Sequence, residues 1–337
     1  MKQLSLFFFL IFTACLIHAQ EEAITLKTSS GNLQGTLLLP EIETPPVVLI
    51  IAGSGPTDRN GNNPSLKSNY LKMLAEGLHK KNIASLRFDK RGVAESASAF
   101  QGGEIEPRFE THINDVEQWT TLLKNDSRFS SVIILGHSEG SLIGMIAAQQ
   151  VSPEKYISMA GPGITMQATL RRQLADQPPY ILSMSLPIIE ELEKGNIVDS
   201  VPPLINALFR PSIQPYLISC FKYDPAVEIS KIKSPILIIQ GTTDIQIQVD
   251  DAEKLASANS NSQLVVIEGM NHILKEAPQN RLLNIQTYGD PELQLKEGLI
   301  DSVVSFIINL LESIIAFNSS ICFCCSLIAL ISTGIIP

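Results

Sequence analysis

The sequence predicts an α/β protein: a mostly parallel sheet flanked by helices, with a helical cap inserted into it. Three observations carry the prediction. Continuous runs of β-branched and aliphatic residues recur at Val47 to Ala52, Ile83 to Phe88, Val132 to Leu135, Ile236 to Ile239 and Leu264 to Ile267; such runs are the mark of strands buried on both faces. Helical periodicity fills the intervals, and a parallel crossover needs a helix. One long, proline-rich stretch then interrupts the alternation.

In chain order, residues 1–19 read as a secretory signal peptide: Lys2, an apolar stretch from Leu4 to Phe12, and Ile17-His18-Ala19 before the polar Gln20-Glu21-Glu22. A lipoprotein reading at Cys15 is disfavoured by Phe12 and by an apolar run that continues past the cysteine. The expected location is therefore exported, periplasmic or extracellular. Thr25 to Leu39 alternates around Gly31-Asn32 and Gly35 as an antiparallel hairpin. Leu71, Leu74, Ala75 and Leu78 keep helical spacing before the second apolar run, and Ile113, Val116, Trp119, Leu122 and Leu123 do so before the third.

Residues 20–161 and 231–309 are expected to form the core, and 162–230, with Pro162, Pro178, Pro179, Pro187, Pro202 and Pro203 among its prolines, a helical cap over the carboxyl ends of the strands. Met166, Met184, Phe209, Tyr216 and Phe221 read first as the cap's own core and second as an acyl-site lining. Ile300 to Leu310 reads as a final helix. The apolar tail, 310–337, has three readings: sequence foreign to the domain, which ranks first, an extra packed helix, or a membrane anchor through residues 313–337.

The chain of 337 residues is 45% hydrophobic and 18% charged, enough for one large domain with an insertion. A formal charge of -9 and no basic run exclude a nucleic-acid partner. The five cysteines, Cys15, Cys220, Cys322, Cys324 and Cys325, form neither a disulfide framework nor a spaced metal site. No metal or cofactor is expected, and the sequence is silent on oligomeric state.

The sharpest chemical signal is Gly136-His137-Ser138-Glu139-Gly140, preceded by the apolar run ending at Leu135 and followed by the helix-prone Leu142 to Gln150. Small residues two positions either side of the serine let the chain turn sharply from strand to helix and project its hydroxyl. A serine hydroxyl is a weak nucleophile at neutral pH and needs a base and an orienting acid, here in the order Ser, Asp, His.

Asp244, in the turn after the run Ile236 to Gln240, and His272, in the loop after Leu264 to Ile267, occupy those slots. Asp250 and Asp251 read instead as helix N-terminal charges. His79 sits among lysines, His112 precedes the nucleophile, and His137 belongs to the turn itself. Backbone N–H groups of Glu139 and of Ser54, the latter in Gly53-Ser54-Gly55-Pro56, are the expected oxyanion donors.

With these segments, Gly53 to Gly61 (reading G-S-G-P-T-D-R-N-G), Arg87 to Val93 and Gly136 to Ser141, the chain resembles bacterial α/β-hydrolase esterases of the serine-aminopeptidase-like superfamily over about Leu33 to Ile308. The resemblance implies an α/β-hydrolase fold, an acyl-enzyme mechanism without metal, and a small-molecule ester with a short acyl chain as substrate. Ala52 stands where many relatives carry histidine, and Ala94 where a glycine is common. Asp89 and Arg91 are expected to order their loop as an ion pair. An amide-cleaving aminopeptidase is the alternative enzyme, with Glu190, Glu191 and Glu193 as candidate holders of a substrate amine; a non-catalytic binding protein on the same fold ranks below it.

Overall fold

The computed structural model describes residues 20–99 and 108–308. The signal-peptide reading of 1–19 and all readings of the tail from 310 onward lie outside those residues. Eight strands form one sheet in the order β1-β2-β4-β3-β5-β6-β7-β8. They are β1 (Gln20–Thr28), β2 (Gly31–Leu39), β3 (Val47–Ile51), β4 (Ala84–Phe88), β5 (Val132–His137), β6 (Lys155–Met159), β7 (Ile236–Gly241) and β8 (Ser262–Ile267). The hairpin β1/β2 joins β4 antiparallel, and every pairing from β4 through β3 to β8 is parallel.

The central strands are apolar on both sides because both sides are covered. On β3, Val47, Leu49 and Ile51 face a core completed by α2 (Phe109–Lys124), α3 (Glu139–Val151) and α9 (Val249–Ala258). Val48 and Ile50 face the opposite core, closed by α1 (Tyr70–His79) and a last helix, α11, over residues 299–308. This alternation is the period-2 geometry of a strand inside a two-sided sheet.

β6 is the strand that the hydrophobic pattern does not announce, because Lys155 and Ser158 break its run. Both are buried all the same. The Lys155 ammonium donates to the carbonyls of Phe306 and Ile307 on α11, and the Ser158 hydroxyl shares a 2.7 Å hydrogen bond with Ser141.

Between β6 and β7 lie α4 (Met166–Ala175), α5 (Pro179–Glu193), α6 (Asn206–Phe209), α7 (Gln214–Cys220) and α8 (Pro225–Ser230). Ile189, Leu192, Phe209, Leu217 and Phe221 give this insertion a small core of its own, with Met184 packed against it. Met166 also packs against it, and both Met166 and Tyr216 line a cavity beneath it. Cys220 is buried with a free thiol. Among the described residues no helix is long and apolar enough to cross a membrane.

Candidate active site

The turn from β5 into α3 is built by close backbone approach. Ser138 takes φ 54°, ψ -125°, a left-handed conformation that side chains rarely adopt. Its flanking glycines leave no room for anything larger: a Cβ on Gly136 would lie 2.2 Å from the Gly140 carbonyl oxygen, and one on Gly140 would lie 2.5 Å from the Ile51 oxygen. The elbow is pressed against the end of β3, which is where the Gly53–Gly55 loop begins.

Ser138 Oγ lies 3.1 Å from His272 Nε2, and His272 Nδ1 lies 2.8 Å from Asp244 Oδ2. A carboxylate only accepts, so Nδ1 carries the proton and Nε2 is left to accept from the serine hydroxyl. Asp244 Oδ1 accepts from the amides of Gln246 (2.8 Å) and Ile247 (3.0 Å), and Gln240 Nε2 donates to Oδ2 at 3.1 Å. Burial opposes ionisation of this carboxyl, but attraction to His272 and these hydrogen bonds outweigh it and hold its pKa below the ordinary carboxylate value.

The loops bearing Asp244 and His272 are clamped to each other. The Thr243 amide donates to the Met270 carbonyl at 3.2 Å. Asn284, on α10 (Arg281–Gln286), donates to the Thr243 carbonyl at 2.7 Å and accepts from Asn271 at 3.3 Å.

His137 links Tyr70 to the backbone of His272. Its Nε2 lies 2.7 Å from the backbone oxygen of His272, which fixes Nε2 as the donor, and its Nδ1 accepts from the Tyr70 hydroxyl at 3.1 Å. Burial, reinforced by repulsion from His272, pushes the His137 pKa down to about 3, so the ring stays neutral in this role. In the sequence His137 belongs only to the elbow, and Tyr70 carries no signal of a role at the site. Nothing in a motif signals that these two residues support the backbone of another histidine, because the contact crosses 67 and 135 positions of chain.

The other candidates separate cleanly. Asp251 caps α9, accepting from the Gln248 amide, and ties the helix to Gly163 and Arg172 of the insertion. His112 sits on α2 with its ring against Tyr216 at 5.7 Å between centroids. Ser54 and Glu139 both line the cavity into which Ser138 opens. Glu139 is the first residue of α3, so its amide has no partner within the helix.

Asp89 and Arg91 do not pair with each other as expected. Asp89 instead takes a fork from Arg59, with Nε and NH2 at 3.0 and 2.6 Å from Oδ2, while Arg91 forks onto Asp115 of α2 at 2.7 and 2.5 Å. Each of the two is occupied by a fork from a partner on another element, which leaves neither free for the other. The pair from Arg59 ties the G-S-G-P-T-D-R loop to the end of β4. Ala94 adopts φ 42°, which explains why a glycine would be easier there.

Cavities open on two sides of Ser138. One of about 300 Å³ lies under the insertion and is lined by Met166, Leu170, Leu208, Ile213, Tyr216 and Leu217 among others. The other, about 220 Å³, is more polar, with Thr57, Asn63, Ser68, Gln246 and Tyr288. Among the described residues no group of His, Cys, Asp or Glu could hold a metal ion.

A doubly covered parallel sheet with an antiparallel hairpin at one edge, a serine elbow after β5, an acid after β7 and a histidine after β8 defines the α/β-hydrolase fold. Solved structures share it. Est1E from Butyrivibrio proteoclasticus superposes with a TM-score of 0.57 at 17% identity, covering 86% of this chain and 99% of that one. The alpha/beta hydrolase GrgF from Penicillium sp. sh18 does so with 0.54 at 15% identity, covering 75% and 91%. The profile of the family described as serine aminopeptidase, S33, matches residues 67–192, a segment that includes the elbow. Esterase EstD of Thermotoga maritima is 27% identical over 274 residues, 76% of this chain. The chain spans 60% of that relative's length.

Proposed function

We propose that this chain is a serine hydrolase that cleaves carboxylic esters of short acyl chains through an acyl-enzyme, with Ser138 as nucleophile. The observation that supports it best is the unbroken relay from Ser138 Oγ to His272 (3.1 Å) to Asp244 (2.8 Å). As Oγ attacks the ester carbonyl carbon, its proton passes to His272 Nε2, and Asp244 holds the tautomer and stabilises the imidazolium. The amides of Ser54 and Glu139 receive the oxyanion, each such donor being worth about 3 kcal/mol in the transition state. Collapse returns the proton to the leaving alcohol. Water then attacks the acyl-enzyme by the reverse path and releases the acid.

The apolar cavity of about 300 Å³ suits a short acyl group, and similarity to an enzyme named an esterase supports the same reading. Amide cleavage from an amino terminus would need a carboxylate to hold the substrate amine. Glu193 is taken by Arg171 at 2.6 Å and Glu191 by Lys194 at 2.7 Å. The one acidic residue lining these cavities among the described residues, Glu139, lies 3.8 Å from Lys90. The test is a panel of acyl esters, acetyl to dodecanoyl, run beside an amino-acid anilide on wild type and Ser138→Ala. Short esters are expected to react fastest, and the variant to lose activity by roughly a thousandfold or more. Equal rates in both proteins refute the nucleophile; anilide preferred over every ester refutes the substrate class.

A further inference from the structure

Lys90 is a buried cation that the reaction above does not use. It follows β4, is 4% exposed, and donates its ammonium to the carbonyl oxygen of Gly53. The Glu139 carboxylate, on a residue 6% exposed, lies 3.8 Å away. Burying an ammonium is costly unless its neighbours compensate, and burial does pull this group below the ordinary lysine pKa while Glu139 opposes the shift. One of the two groups that compensate it is the carbonyl of the peptide whose N–H is that of Ser54, and the other is the side chain of Glu139, so each is tied to one of the two amides assigned to the oxyanion.

The Gly53 carbonyl and the Ser54 N–H are two ends of one planar trans peptide and point in opposite directions. A cation on the oxygen therefore fixes the plane from behind and draws electron density away from the nitrogen, which strengthens the N–H as a donor on the other side. The nucleophile stands beside this peptide. A Cβ placed on Gly53 would lie 3.1 Å from Ser138 Cβ, and Ser54 lines both cavities that Ser138 opens on. Among the described residues the Ser54 amide makes no hydrogen bond to the protein, so it is held in direction only through its peptide.

We infer that Lys90 is a positioning residue for the oxyanion site: its ammonium aims and polarises the Gly53–Ser54 peptide, and braces through its charge the side chain of Glu139, whose own amide is the second donor. The inference rests on Ser138 being the nucleophile. It adds that the carbonyl behind the first donor is as much a part of the site as the donor itself.

The test compares wild type, Lys90→Met, Lys90→Gln and Ser138→Ala on one short acyl ester. Inhibition by a trifluoromethyl ketone, whose tetrahedral adduct places an oxyanion in the same position, is measured in parallel. Losing a full oxyanion donor costs about a hundred- to a thousandfold in kcat, so losing the group that aims one should cost roughly ten- to a hundredfold in Lys90→Met. KM should stay close to wild type, and inhibitor affinity should fall by the same factor as kcat. Lys90→Gln, which keeps an N–H donor without the charge, should fall between.

Unchanged kcat and inhibition in a variant with the wild-type circular dichroism spectrum would overturn the inference, as would a loss confined to KM. Failure of both variants to fold would also overturn it, because the ammonium would then be a requirement of the fold. Ser138→Ala separates the two levels. If it is inactive while the Lys90 variants are fully active, only the role of Lys90 fails; if it is active, the reading of the site fails with it.

Discussion

At the scale of single residues, the site is a case of buried polar groups each given a defined partner. Asp244 accepts four hydrogen bonds, and three of them, from Gln240, Gln246 and Ile247, aim its remaining lone pair at His272. Replacing it with asparagine would put an amide where the imidazole N–H must donate, so the ring would turn to its other tautomer and lose the ability to accept from Ser138. Asp244→Asn should therefore lower kcat by roughly a thousand- to ten-thousandfold with little change in KM, the scale seen for such replacements in other serine hydrolases. Steady-state kinetics on a short acyl ester read this directly; a loss under tenfold would mean that His272 is oriented by something other than Asp244.

At the scale of elements, what the sequence discloses depends on whether the signal is local. The Gly136–Gly140 elbow is local: a strand, a forced left-handed serine and a helix start lie within a few residues, and both glycines are explained by backbone atoms under 3 Å from an added Cβ. The apolar runs of β3, β5 and β7 are local too, and with them the slots after β7 and β8 that hold Asp244 and His272. β6 was hidden because its polar residues are satisfied by α3 and α11, distant in sequence. The same reason hid Tyr70, His137 and Lys90, and led to the wrong partner for Asp89. A residue's type can suggest that it will be paired, but which element supplies the partner is set by the sheet order, and that order is not written at any one position.

At the scale of the whole molecule, two histidines are kept uncharged: His137 is buried, and His112 is half-buried at the wall of a cavity beside Lys90 and Arg91. Burial pushes His112 down to about 3, aided by Lys90 and Arg91, and His137 likewise to about 3. Both folded values lie below the unfolded one near 6.5, so the unfolded chain binds two protons that the native state refuses as pH falls from about 6.5 toward 3. Stability is full above that window and is lost on descending through it. Asp115, which burial pushes up to about 6 against the pull of Arg91, acts in the opposite direction and cancels about one proton below pH 6. Together these three groups contribute a loss of about 1.4 kcal/mol per pH unit between pH 6 and 4.5. Urea unfolding across that range measures the slope, and His112→Phe, which keeps a ring against Tyr216, should flatten it by about one proton. An identical slope in the variant would mean that His112 is not held neutral.

These scales meet at one oxygen atom. The most direct measurement is to mix the protein with a slow-turnover activated ester, quench in acid within the first turnover, and locate the added acyl mass by peptide mass spectrometry. One acyl group per chain on the peptide that carries Ser138, absent from Ser138→Ala, is the predicted result. An acyl group on another residue, or full turnover by the alanine variant, would contradict the account at its root.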